Sequence, residues 1–152
     1  MNRPTATRVR AGTAEPAAED DELEQYVPDA EHLVAEAVEL AAAQDAGPEL
    51  VARYWHLVPD EELASCQVDR MVEATRSHLE LARQRVPGEL KLRLGLSVAG
   101  GTSLEIITDD MPFLVDSVTS ALSSRDLDVN LLVHPLVVVR RQPLGALEEV
   151  RV

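Results

Sequence analysis

Asp109, Asp110 and Asp116 form the densest chemistry in this chain, three carboxylates around the start of a predicted helix. Three readings fit them. Carboxylates beside a helix N-terminus can hold the ammonium of an amino acid whose own carboxylate docks on the free helix N–H groups. Asp110 can instead cap the helix while Asp116 faces water. A hard cation could also take the three carboxylates. Other reactive types are scattered. Lys91 is the only lysine and stands in a predicted strand, its ammonium expected in solvent. His134 follows apolar residues and precedes Pro135, the setting of a structural histidine. His56 lies beside Tyr54 and Trp55, where packing is the simpler role, and His32 and His78 are expected on exposed helix positions. Cys66 has no basic neighbour in sequence, so an inert, buried thiol is expected.

Whole classes of chemistry lack their residues. One cysteine excludes an internal disulfide, and with four dispersed histidines there is no zinc spacing. No G-x-G-x-x-G, P-loop or metal-binding His pair occurs, so no catalytic residue, metal ligand or cofactor site is placed on the chain. A net charge of −13 and an aromatic content of 3% argue against phosphate neutralisation and base stacking, hence against nucleic acid as a partner. No apolar run reaches the roughly 18 residues of a membrane span, and none follows the early arginines as in a signal peptide. These features together predict a cytoplasmic protein without a membrane partner.

The elements that must position these residues come next. Residues 1–10 carry three arginines and no acid, and residues 11–52 carry twelve acids and no base. With few large apolar groups before Pro28, residues 1–28 read as a disordered acidic tail. Asp29 can cap a helix to about Asp45 with Leu33, Ala37, Leu40 and Ala41 on one face, ended by Gly47-Pro48. Helical spacing continues over Glu49–Val58, briefly from Asp60, and then from Val68 to Val86 through Val72, Thr75, Leu79 and Ala82, a narrow apolar seam for core or partner. Pro87-Gly88 ends this helical segment, 29–88.

Beyond Gly88 the period changes. Leu90, Leu92, Leu94 and Leu96 have strand spacing, Gly100-Gly101 makes a turn, and Leu104, Ile106 and Thr108 continue into a second strand. Asp109-Asp110-Met111-Pro112 opens a helix to about Ser124 with Leu114, Val115, Val118, Ala121 and Leu122 as its buried face. A long strand is expected from Val129 to Arg140, bent at Pro135 because proline cannot donate to a ladder. Gln142 to Gly145 turns the chain into Glu148–Val152, which reads as a strand cut short, and so as a piece of a larger sheet. The fold class is α+β.

Read as a block, Asp-Asp-Met-Pro-Phe-Leu-Val-Asp-Ser-Val at 109–118, within Thr102–Leu122, followed by Val129-Asn-Leu-Leu-Val-His-Pro135 and Val137–Arg140, resembles the N-terminal region of the large bacterial NAD-specific glutamate dehydrogenases. Tyr54-Trp-His-Leu-Val-Pro-Asp-Glu-Glu-Leu63 is similar to the motif preceding it in that family. The resemblance spans roughly residues 29–152. It implies an ACT-like domain over 89–152, an incomplete, C-terminally truncated ferredoxin-like βαββαβ unit. It also implies an effector loop at Asp109, Asp110, Met111, Pro112 and Phe113, open to an amino acid, and homo-oligomers formed by sheet or helix pairing. The implied function is the regulatory or assembly end of an enzyme that deaminates L-glutamate oxidatively to 2-oxoglutarate and ammonia. NAD is implied for that full-length enzyme and not for this chain, which lacks the catalytic domain. The alternative is a free-standing ACT-like module that binds an amino acid or dimerises.

Overall fold

The structure, a computed structural model, describes residues 30–151. The acidic tail at 1–28 and the expected cap at Asp29 lie outside the described residues. Helix α1 spans Ala30–Ala43, α2 Pro48–Trp55, α3 Asp60–Leu63 and α4 Val68–Ala82. In α1 the buried residues Leu33, Ala37 and Ala41 repeat every four positions, and the two alanines leave no side-chain bulk to hold neighbouring helices away. Gly47 adopts φ 68°, which a side chain would resist, and Pro48 then stands at the start of α2, where a missing N–H costs no helical bond.

Trp55 is the largest fully buried side chain and draws α2 onto α4. Its indole Nε1 donates to Thr75 Oγ1 at 3.1 Å and to the Met71 carbonyl at 3.3 Å, and the Thr75 hydroxyl donates to the same carbonyl at 3.0 Å. The polar atoms in this core are therefore satisfied. Val51, Val58, Leu63, Cys66, Met71 and Val72 complete it, and among the described residues beyond 88 Val98 is its one buried contributor.

Helix α4 stops at Ala82, four residues short of the expected end at Val86. The backbone of 83–86 pairs instead with the 145–147 turn: Leu147 N–H donates to Arg83 O at 2.8 Å and Arg85 N–H to Gly145 O at 3.0 Å. Gly145 makes this possible, since a Cβ there would meet Arg85 O at 2.6 Å. Tertiary pairing has overridden helical spacing.

Strands β1, Lys91–Leu96, and β2, Thr102–Ile107, form an antiparallel hairpin in register Leu92 to Ile106, Arg93 to Glu105 and Leu94 to Leu104. Gly100 and Gly101, at φ 88° and 81°, supply its turn. Helix α5 follows at Leu114–Ser123, then β3 at Val138–Arg141 and β4 at Leu147–Arg151, a second antiparallel hairpin. The two hairpins are separate two-stranded sheets. The class is α+β.

Two expectations are corrected here. The strand expected over 129–140 is regular only from Val138; residues 129–137 are unpaired, and the Leu132 N–H points at the Glu62 carboxylate, 3.4 Å away, in place of a ladder partner. Helix α5 has no buried residue, because no element packs closely enough over Leu114, Val118 or Leu122 to exclude water. No helix among the described residues is long and apolar enough to cross a membrane.

Candidate functional site

The 109–113 loop hangs between β2 and α5 and is fastened at its first residue. Asp109 Oδ1 lies 2.6 Å from Arg85 Nη2, and its Oδ2 accepts the Gly88 N–H at 2.7 Å. Arg85 is 5% exposed, just past the end of α4, and its Nε donates to Glu89 O at 2.7 Å. A guanidinium that deep needs a carboxylate, and Asp109 is the one it reaches. The Arg85 guanidinium, and after it the Gly88 N–H, hold the Asp109 carboxyl below its usual value. Arg141 adds a second guanidinium, bonded to Ala82 O at 2.7 Å and Gly145 O at 3.1 Å. Burial, and then the Arg85 charge, push Arg141 down from its usual value, and its Nε is buried without a hydrogen-bond partner among the described residues.

The rest of the loop is open. Asp110, Met111, Pro112 and Phe113 are all exposed, Phe113 by 76%. Asp110 does not cap α5. The residue at the cap position is Phe113, in the left-handed region at φ 61°, and no side chain accepts from the first turn. The reason lies one residue upstream, where Asp109 is drawn to Arg85 and the chain crosses four more residues before turning helical. Asp116 sits exposed in that first turn. The loop thus offers uncapped helix N–H groups, which suit a carboxylate, close in sequence to the exposed carboxylates of Asp110 and Asp116. No group of three or more potential metal ligands occurs among the described residues.

The histidines depart from expectation more than the aspartates do. His78, expected on an exposed helix face, is half-buried between Tyr54 and β2. Its Nε2 lies 3.2 Å from Ile106 O, which can only accept, so Nε2 carries the proton and Nδ1 accepts the Tyr54 hydroxyl at 2.8 Å. Burial pushes His78 below its ordinary value and Tyr54 above its own. His56 is exposed, not packed, and bonds Arg53 O through Nδ1 at 2.8 Å. His134 is exposed, and His32 pairs with Glu36 on the surface of α1. Cys66 is buried, and burial raises its thiol pKa.

Arg93 points toward α4, and the half-exposed Lys91 reaches the segment just past the end of that helix. The Lys91 ammonium donates to Gln84 O. Arg93 binds Glu105 through Nε at 2.8 Å and reaches Ser77 Oγ at 2.6 Å, so the hairpin meets α4 through a polar seam. Its other face carries the leucines outward. Arg85 and Arg93 were not distinguishable in the sequence from other surface arginines; the nearest signal was the Pro87-Gly88 stop that places Arg85 at a helix end.

No solved structure matches this chain. Residues 50–152, from α2 through β4, match the family model described as glutamate dehydrogenase, ACT1 domain. That span contains the buried tryptophan, the Leu-faced hairpin and the Arg85–Asp109 pair, and on this match the chain belongs to the glutamate dehydrogenase ACT1 domain family.

Proposed function

We propose that this chain is the non-catalytic, regulatory and assembly part of an NAD-specific glutamate dehydrogenase, whose full-length form deaminates L-glutamate to 2-oxoglutarate and ammonia. In this reading residues 89–152 contribute to an ACT-like βαββαβ unit, and residues 29–88 are the helical segment that carries it. The observation that carries the regulatory part is the Arg85–Asp109 ion pair, which ties the 109–113 loop to the end of α4. A ligand that engages the loop acts on the same few residues that join it to the helical segment. An amino acid fits the free chemistry, its carboxylate on the uncapped N–H groups of α5 and its ammonium on Asp110. Only differential affinity for the two loop arrangements would transmit the signal.

The assembly part rests on the outer face of the β1–β2 hairpin. Leu92, Leu94 and Leu96 are 57%, 71% and 80% exposed, with Leu104 and Ile106 beside them. We take a second copy of the chain as the occupant. Copies carrying a net charge of −13 repel, and this face brings no charge into contact when it pairs with itself. In this reading NAD is held by the full-length enzyme and not by this chain. The adjacent glycines Gly100-Gly101 lie in a hairpin turn, not at a strand-to-helix junction where a pyrophosphate could meet a helix N-terminus.

The test uses the intact dehydrogenase that carries this sequence. Glutamate-dependent NAD reduction is measured with and without each amino acid, in the parent and in an Asp110→Ala variant, which leaves the Arg85–Asp109 pair intact. The expected result is unchanged basal turnover and a lost effector response. A response identical in the two proteins would reject the loop as the effector site.

A further inference from the structure

A hollow of about 290 Å3 opens between the α2–α3 turn and the extended 132–135 segment, away from the 109–113 loop. Its volume is just below the roughly 300–1,000 Å3 range of small-molecule sites, which leaves room for a ligand no larger than an amino acid. Two opposite charges line it without neutralising each other. Arg53 Nη1 donates to His56 Nε2 at 3.2 Å, and among the described residues it has no carboxylate partner. The His56 Nδ1 proton is committed to the Arg53 carbonyl, so Nε2 can accept, and the arrangement holds the guanidinium in place while leaving most of its five donors unused. Glu62 meets only the Leu132 N–H, at 3.4 Å, and has no cation partner among the described residues. Apolar side chains, Leu57 and Leu132 among them, line it as well, together with His134.

An unpaired guanidinium and an unpaired carboxylate facing one small, partly apolar hollow are complementary to a zwitterion with a hydrocarbon side chain. A dicarboxylate would set its second charge against Glu62, and a diamine would set one against Arg53. We propose that this hollow binds an apolar α-amino acid, its carboxylate on Arg53, its ammonium on Glu62 and its side chain against Leu57 and Leu132. The two walls come from segments 70 residues apart in sequence. Glu62 belongs to α3, against the helical core, while Leu132 belongs to the unpaired stretch whose neighbours Leu131 and Val133 already pack on that core. A ligand here strengthens a junction that the Leu132–Glu62 contact makes weakly. It fastens the 131–135 segment to the helical unit, which distinguishes this site from the loop at 109–113 and makes it independent of that loop having a ligand.

The test is calorimetric titration of the 152-residue chain with L-leucine, with 4-methylpentanoate, which lacks the ammonium, and with isopentylamine, which lacks the carboxylate. Saturable heat is expected for L-leucine, at least tenfold weaker binding for each analogue, and a tenfold loss in both Arg53→Met and Glu62→Gln. The first of these side chains is exposed and the second partly so, so the melting temperature of each variant should match the parent, and an amide spectrum should show L-leucine shifting Leu132. No saturable heat, equal affinity for 4-methylpentanoate, or unchanged affinity in both variants with a parent-like melting temperature would each overturn the proposal.

Discussion

Residues 30–86 and residues 89–151 dispose of their apolar side chains in opposite ways. The first stretch closes a core around Trp55, with Met71, Val51 and Thr75 all but removed from water. The second has comparable apolar content and puts it outside: the leucines of β1, Phe113, Leu127, Leu136, Val138 and Leu144 are all exposed, and α5 buries nothing. The difference lies in what each stretch can pack against. Four short helices with seams at i, i+4 can cover one another, whereas each two-stranded hairpin has two faces and, here, one helix-sized neighbour at most. The β1–β2 hairpin spends its polar face on α4, through Arg93, Glu105 and Ser77, and so leaves its apolar face for something larger than itself. An apolar face of that kind marks an interaction surface.

The sharpest way to break this contrast is to remove one large apolar side chain from each region. Trp55→Ala should cost about 3–5 kcal/mol, since it deletes the centre of the core along with the indole hydrogen bond to Thr75. Leu94→Ala, at a position 71% exposed, should stay within roughly 0.5 kcal/mol in the monomer. Denaturant unfolding of the two variants at low protein concentration measures both. Equal losses would mean that the hairpin face is covered in solution by the chain itself.

The second test asks what the exposed face does. Leu94→Asp sets a carboxylate in the middle of the leucine stripe, and in a self-paired interface it meets its own copy across the two-fold axis. Light scattering should show the parent associating as its concentration rises and the variant remaining a monomer. A parent that is monomeric at every concentration would reject a second copy as the occupant.

Much of the first region was legible in the sequence because helical spacing names the buried side. Leu33, Ala37 and Ala41 follow that rule, as do Val72 and Thr75. Strand spacing is weaker evidence. Alternation placed Leu92, Leu94 and Leu96 together on one face of a hairpin, and Gly100-Gly101 located its turn, but a period of two is silent on which face meets the rest of the protein. That choice was made by Arg93 and Glu105, which become opposite neighbours only once the register is set. The cap reading of Asp110 fails for a related reason. Capping is a local rule, and Asp109 is taken by Arg85, 24 positions away in sequence, so the helix begins later and without its expected cap. The loop itself, 109–113, stood out in the sequence, whereas the arginine that fastens it did not.

The seam between the regions supplies the third test. Arg93→Met leaves the hairpin's backbone ladder intact while removing the bonds to Glu105 and Ser77. Amide hydrogen exchange across 91–107 should accelerate, while the amides around Trp55 and Met71 keep their protection, because their core receives little from the hairpin beyond Val98. Acceleration that spread equally through α1 and α4 would show the two regions unfolding as one unit.

The smallest expected effect is a pH dependence at the same junction, where His78 joins α2, α4 and β2. Its folded-state pKa lies below the ordinary 6.5 because burial disfavours the imidazolium, so the unfolded chain takes up the proton first. Between 6.5 and the lower folded value the unfolded state binds more protons, and stability therefore falls as the pH drops through that window and is fully present above it. Protonation would also remove the Nδ1 lone pair that accepts the Tyr54 hydroxyl. His78→Gln retains an acceptor for Tyr54 and a donor for Ile106 without a titrating proton. The unfolding midpoint of the parent should decline from pH 7.5 to 5.5, and that of the variant should decline less. Parallel curves would place the acid sensitivity elsewhere and leave the Tyr54–His78–Ile106 bridge as a purely steric contact between the closed region and the open one.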